Sequence, residues 1–98
     1  MATKKLTSTV VKKSIGFDRM SITGKFPSGA SLRFFIGRSG EKLEISFSND
    51  EAELKKQSDI LMKWLKYRDD EDNVQRFERL EKLMKECKSG SELIEKIK

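Results

Sequence analysis

Between residues 19 and 47, apolar and polar positions alternate with a period of two. Met20, Ile22, Gly24 and Phe26 fall on one side of a strand, and Arg19, Ser21, Thr23 and Lys25 fall on the other. Leu32, Phe34 and Ile36 alternate with Ser31, Arg33 and Phe35, and Leu43, Ile45 and Phe47 alternate with Lys42, Glu44 and Ser46. Successive side chains of a strand point to opposite faces, so the pattern predicts three half-buried strands. Gly16 to Asp18, Pro27-Ser28-Gly29 and Gly37-Arg38-Ser39-Gly40 supply turn chemistry between them. The Thr- and Val-rich segment Thr7–Ile15 reads as a fourth strand preceding the three. Its run Val10-Val11-Lys12-Lys13 breaks the alternation and leaves its buried face open. Connections this short favour an antiparallel meander over residues 6–47.

Beyond residue 48 the period becomes helical. Ser48 and Glu51 have the spacing of a capping box, and Leu54, Ile60, Leu61, Trp64 and Leu65 form a broad apolar stripe suited to a sheet face. The polar run Arg68–Asn73 interrupts the stripe, either bending one helix or separating two. Val74, Phe77, Leu80, Met84 and Cys87 then recur every three or four residues, a narrow seam typical of helix–helix packing. Gly90 reads as a C-terminal stop, and Ser89 with Glu92 as a capping box opening a short last helix through Leu93, Ile94 and Ile97. Strands first and helices second is the α+β pattern: a four-stranded antiparallel β-meander followed by two or three α-helices packed on one sheet face. The helix from about residue 49 is the nearest lid for that sheet. All 98 residues fit one domain (1–98), with residues 1–5 as a flexible basic N-terminus, 6–47 as the sheet and 49–98 as the helical part.

Composition narrows the chemistry. The chain has no histidine, one cysteine and one proline. Those counts argue against a disulfide framework, a Cys/His zinc site and imidazole catalysis. Gly37-Arg38-Ser39-Gly40 lacks the length and the lysine of a phosphate loop and lies between strands, so it is a hairpin turn. The acidic run Asp69–Asp72 lacks the alternating ligands and central glycine of a calcium loop, and acids before a helix suit its dipole. No spacing points to Ser-Lys or carboxylate catalysis, so the expectation is a protein without enzymatic activity, cofactor or metal. The longest apolar runs, Phe34-Phe35-Ile36 and Ile60-Leu61-Met62, fall far short of the roughly 20 residues of a membrane helix. With the unpaired Cys87, this suggests a soluble protein of a reducing, cytoplasmic compartment. Cys87 and Trp64 both read as core residues.

Charge supplies the sharpest signal. Residues 1–48 carry nine Lys/Arg against Asp18, Glu41 and Glu44, a net +6, while residues 49–98 carry twelve against thirteen, a net −1. Arg19, Lys25, Arg33, Phe35 and Lys42 fall on the side of the strands opposite the apolar row, and Arg38 sits in the adjoining turn. Lys12 and Lys13, with Lys4 and Lys5, extend that surface if the first strand lies beside the others. A positive pleated face around an aromatic ring suits single-stranded DNA or RNA, with cations along the phosphates and Phe35 stacking on a base. The plainer reading is a solvated antiparallel face, with lysines for solubility and Phe35 packed beneath a loop, a helix or a second subunit. Val74, Phe77, Leu80 and Met84 fit intrachain packing and a homodimer interface equally well.

No run of motifs matches a family residue by residue. In element order, residues 6–68 resemble the single-stranded nucleic-acid-binding modules of the Whirly and Pur type. That resemblance implies a ligand-carrying sheet and dimerisation through helices, and the helices after residue 73 depart from it. The expectation is a small non-enzymatic nucleic-acid-binding protein acting in transcription, replication or RNA handling. The alternative is a protein-interaction module, such as an adaptor or an inhibitor docking on a larger complex.

Overall fold

The computed structural model describes residues 8–98. The basic N-terminus 1–5, Lys4 and Lys5, and the expected start of the sheet at residue 6 lie outside the described residues. Four strands, β1 (Val10–Ile15), β2 (Met20–Lys25), β3 (Ser31–Gly37) and β4 (Gly40–Ile45), form one antiparallel sheet in the order β1-β2-β3-β4. Three helices follow: α1 (Glu51–Leu65), α2 (Asn73–Glu86) and α3 (Gly90–Ile97). This is the α+β meander that the alternation predicts. Every connection within the sheet falls at a turn read from the sequence, and the tightest joins Gly37 to Gly40 through Arg38 and Ser39.

The apolar row of the strands faces the helices. Ile22, Leu32 and Phe34 are buried together with Phe26, Leu61, Leu65, Phe77, Leu80, Met84, Cys87, Leu93 and Ile94. The lid is shared rather than supplied by α1 alone. α2 packs across β1 and β2, while α1 lies against β4 and α3. Phe77 of α2 meets Phe34 of β3 with ring centroids 5.5 Å apart, and Met84 lies over Gly24. The seam of α2 is therefore consumed within its own chain. Phe77, Leu80 and Met84 are wholly buried, and only Val74 is exposed. These three side chains have no surface left for a partner, which corrects the reading of Val74, Phe77, Leu80 and Met84 as a dimer interface.

The helix ends depart from the expected caps. α1 is capped by Asp50, whose carboxylate accepts the Ala52 amide at 3.0 Å, two residues later than the Ser48–Glu51 box. Ser48 instead accepts the Asp50 amide at 3.1 Å. The polar run separates two helices, because Lys66 leaves α1 with extended backbone and Asp72 opens α2 with Gln75 in a reciprocal capping box. Ser89 caps α3 as expected, accepting the Glu92 amide. Gly90 is not a stop: α2 ends at Glu86, and Gly90 is the first residue of α3. Its missing side chain makes room for the ring of Phe47, which also packs edge-on against Phe26.

Two arginines of α2 fasten the end of α1. Arg76, 1% exposed, donates from Nε to the Leu65 carbonyl (2.8 Å) and from Nη1 to Glu41 Oε1 (2.6 Å) and Asn73 Oδ1 (3.1 Å). Its guanidinium also lies 4.0 Å from the centre of the Tyr67 ring. Arg79 donates to the carbonyls of Trp64 (2.7 Å) and Lys66 (3.2 Å) and, from Nε and Nη2, to both carboxylate oxygens of Glu71. The last carbonyls of a helix have no partner within it, so these donors satisfy groups that would otherwise be stranded. The carboxylates of the acidic run are thus in structural use: Glu71 holds Arg79 and Asp72 caps α2. Trp64, half-buried, has the guanidinium carbons of Arg68 and Arg79 at 5.4 and 4.5 Å from its ring centre.

Candidate functional site

The sheet face turned away from the helices is fixed by strand register. Cross-strand pairing sets its side chains in rows. Lys12, Thr23, Arg33 and Glu44 form one row; Ser14, Ser21, Phe35 and Lys42 form the next. Val10, Lys25 and Ser31 form a third, which Ser46 extends through a hydroxyl contact with Ser31 at 2.8 Å. On the two central strands Thr23 and Ser21 of β2 stand beside Arg33 and Phe35 of β3, with Lys12 and Lys42 on the edge strands. A shallow trough of about 620 Å³ crosses all four strands between Lys12, Lys25, Arg33 and Glu44. A smaller hollow of about 200 Å³ is bounded by Arg33, Phe35, Lys42 and Glu44.

Lys12, Lys25, Arg33, Phe35 and Lys42 are therefore brought together. Among the described residues, Lys12, Lys25 and Arg33 make no ion pair, so their charge is available to a ligand. Lys42 contacts Glu44 on its own strand at 3.3 Å. Phe35 is half-buried, and its ring lies over Gly37, where any side chain would collide with it. The ring is thus held against the strand backbone rather than beneath another element.

Three expected members stand elsewhere. Lys13 belongs to the opposite face: it pairs with Ile22, and its Nζ reaches Glu81 of α2 at 2.9 Å. That ion pair corrects its assignment to the nucleic-acid-binding set on the open face, because β1 turns Val11 and Lys13 toward α2 and Lys12 away. Hydrogen bonding from Lys13 also holds the Glu81 carboxyl below the usual range. Arg38 sits in the β3–β4 turn and contacts Asp18 of the β1–β2 turn at 3.0 Å, joining the two hairpin ends. Arg19 lies at that end too, just before β2, and is exposed.

Two residues that sequence reasoning did not single out matter here. Glu44 is the one carboxylate among the described strand residues of the open face, and only the register puts it beside Phe35 and Arg33. Phe17, 104% exposed, stands at the apex of the β1–β2 hairpin, where the Gly16 amide donates to the Arg19 carbonyl at 2.9 Å. Its place within a turn gave no periodic signal.

Cys87 is buried, and desolvation pushes its thiol pKa up, so it remains a protonated, inert side chain. Among the described residues no helix is long and apolar enough to cross a membrane. Compared with models of known families, with curated proteins and with solved structures, the chain matches none.

Proposed function

We propose that this chain is a small non-enzymatic protein that binds single-stranded nucleic acid, acting in transcription, replication or RNA handling. The observation that carries the reading is the open face of the sheet, where Lys12, Lys25, Arg33 and Lys42 share one surface with the ring of Phe35 and the last two stand beside it. Lys12, Lys25, Arg33 and Lys42 track phosphates, releasing counterions as they do so. Phe35 stacks on a base, a contact of about 1–3 kcal/mol that tolerates any base because each has a π-face. The trough crosses all four strands, which suits an extended nucleic-acid strand laid across the sheet.

Fluorescence anisotropy with labelled single-stranded and duplex oligonucleotides tests this at two salt concentrations. With four phosphate contacts, the logarithm of the affinity falls against the logarithm of salt with a slope of about −2.8 for single strands. Absence of binding at roughly 50 mM salt, or affinity indifferent to salt, removes the proposal.

One observation favours a second reading, docking on a larger protein complex. Phe17 is fully exposed and Ile15, in the same hairpin, is nearly half exposed. On that reading Phe17→Ala weakens a stoichiometric, nuclease-resistant complex, and Phe35→Ala leaves oligonucleotide binding unchanged.

A further inference from the structure

Glu44 is out of character on a face that binds polyanions. Each carboxylate there repels phosphate, and replacing it with a neutral residue would strengthen non-specific binding. Its position gives it another use. Glu44 and Arg33 are cross-strand partners, Phe35 and Lys42 are the next pair, and the four side chains bound the hollow of about 200 Å³. Lys42 Nζ, 3.3 Å from Glu44 Oε1, braces the carboxylate at that rim.

The geometry points to a guanine-selective pocket, with Phe35 stacking on the base and Glu44 reading its Watson–Crick edge. This rests on the nucleic-acid reading above and adds base identity to it. An ionised carboxylate only accepts hydrogen bonds, through two oxygens that suit two parallel donors. Guanine presents such a pair in N1–H and the N2 amino group. Cytosine and adenine place a ring acceptor beside their amino donor, and thymine and uracil flank their single N–H with two carbonyls. Each of those acceptors faces the carboxylate with like charge. Single strands leave this edge free, which is where base-specific reading of unpaired nucleic acid takes place. Arg33, on the same hollow, keeps its place on the phosphate backbone, so the base edge is read by Glu44.

The test uses thymidine oligonucleotides of roughly 12 nucleotides carrying isolated guanines, the same strands with inosine in their place, and thymidine alone. Inosine keeps N1–H and O6 and lacks only the N2 amino group. Wild-type protein is expected to bind the guanine strand about tenfold more tightly than the inosine strand. Glu44→Gln is expected to bring that ratio within about twofold while raising affinity for the thymidine strand. Glu44 is exposed, and an unchanged unfolding midpoint shows that the variant is folded. Equal affinity for guanine and inosine strands overturns the inference while leaving single-strand binding standing. So does Glu44→Gln raising all three affinities equally with the guanine preference intact. If none of the strands binds, the nucleic-acid reading falls and the base assignment falls with it.

Discussion

Phe34 and Phe35 are neighbours on β3 with opposite surroundings. Phe34 is sealed between Ile22, Leu32 and the ring of Phe77, whereas Phe35 lies on the open face over Gly37. The same side chain is a structural element on one side of the sheet and a candidate ligand platform on the other. What separates them is the twofold period of a strand and the placing of α1 and α2 on a single side. Stability and the proposed binding thereby fall on different faces, so substitutions one residue apart should affect different measurements.

The largest expected effect lies on the covered face. Phe34→Ala leaves a cavity beside Phe77 and should cost about 3–5 kcal/mol in chemical denaturation. Phe35→Ala should cost about 1 kcal/mol or less, since that ring touches solvent. Equal losses for the two variants would break the contrast between the faces. Arg76→Ala comes next, at about 3 kcal/mol, because it strands the Leu65 carbonyl and leaves Glu41 unpaired at the edge of the core. A loss within about 0.5 kcal/mol would mean that water replaces the guanidinium at the end of α1.

On the open face, Phe35→Ala should lower affinity for a single strand by a factor of about 5 to 150, the equivalent of one lost stacking contact. Arg33→Glu should reduce it further and flatten the salt dependence, since one phosphate contact is lost and one repulsion gained. Neither change should lower the thermal unfolding midpoint by more than about 8 °C.

The two faces also differ in how far they could be read from the chain. The buried face was legible because Ile22, Leu32 and Phe34 keep strict alternation, and burial follows from period alone. The partner of the α2 seam was not legible: an apolar row says that Phe77 and Met84 are covered, and not by what. Gly90 misled because a glycine needed for close approach to Phe47 looks the same as a helix terminator. Arg76 and Arg79 were invisible because charged residues on a helix usually belong to solvent. Here their value depends on the carbonyls of Trp64, Leu65 and Lys66, placed by the turn between α1 and α2. Glu44 was visible as an alternating residue, but its neighbours across the sheet required the register.

The smallest predicted effects come from Lys12 and Lys13, which repeat the Phe34–Phe35 contrast on β1. Lys12 shares a row with Arg33, and Lys13 crosses to Glu81 of α2. Lys12→Ala should leave stability within about 0.5 kcal/mol and make the salt slope shallower by about 0.7. Lys13→Ala should leave that slope unchanged and cost up to about 1 kcal/mol at pH 7, the range of a partly exposed ion pair. The pH dependence identifies the pair as the source. Hydrogen bonding from Lys13 lowers the Glu81 pKa in the folded state, as hydrogen bonding from Arg79 lowers that of Glu71. A carboxyl whose folded pKa is depressed contributes stability above its unfolded value, about 4.3, and loses it as pH falls through the folded value. Wild-type stability should therefore decline below about pH 4.3, and Lys13→Ala should decline less steeply, so that the two curves converge in acid. Parallel curves would show that Lys13 acts through the packing of its hydrocarbon stem against α2, which does not depend on the charge of Glu81.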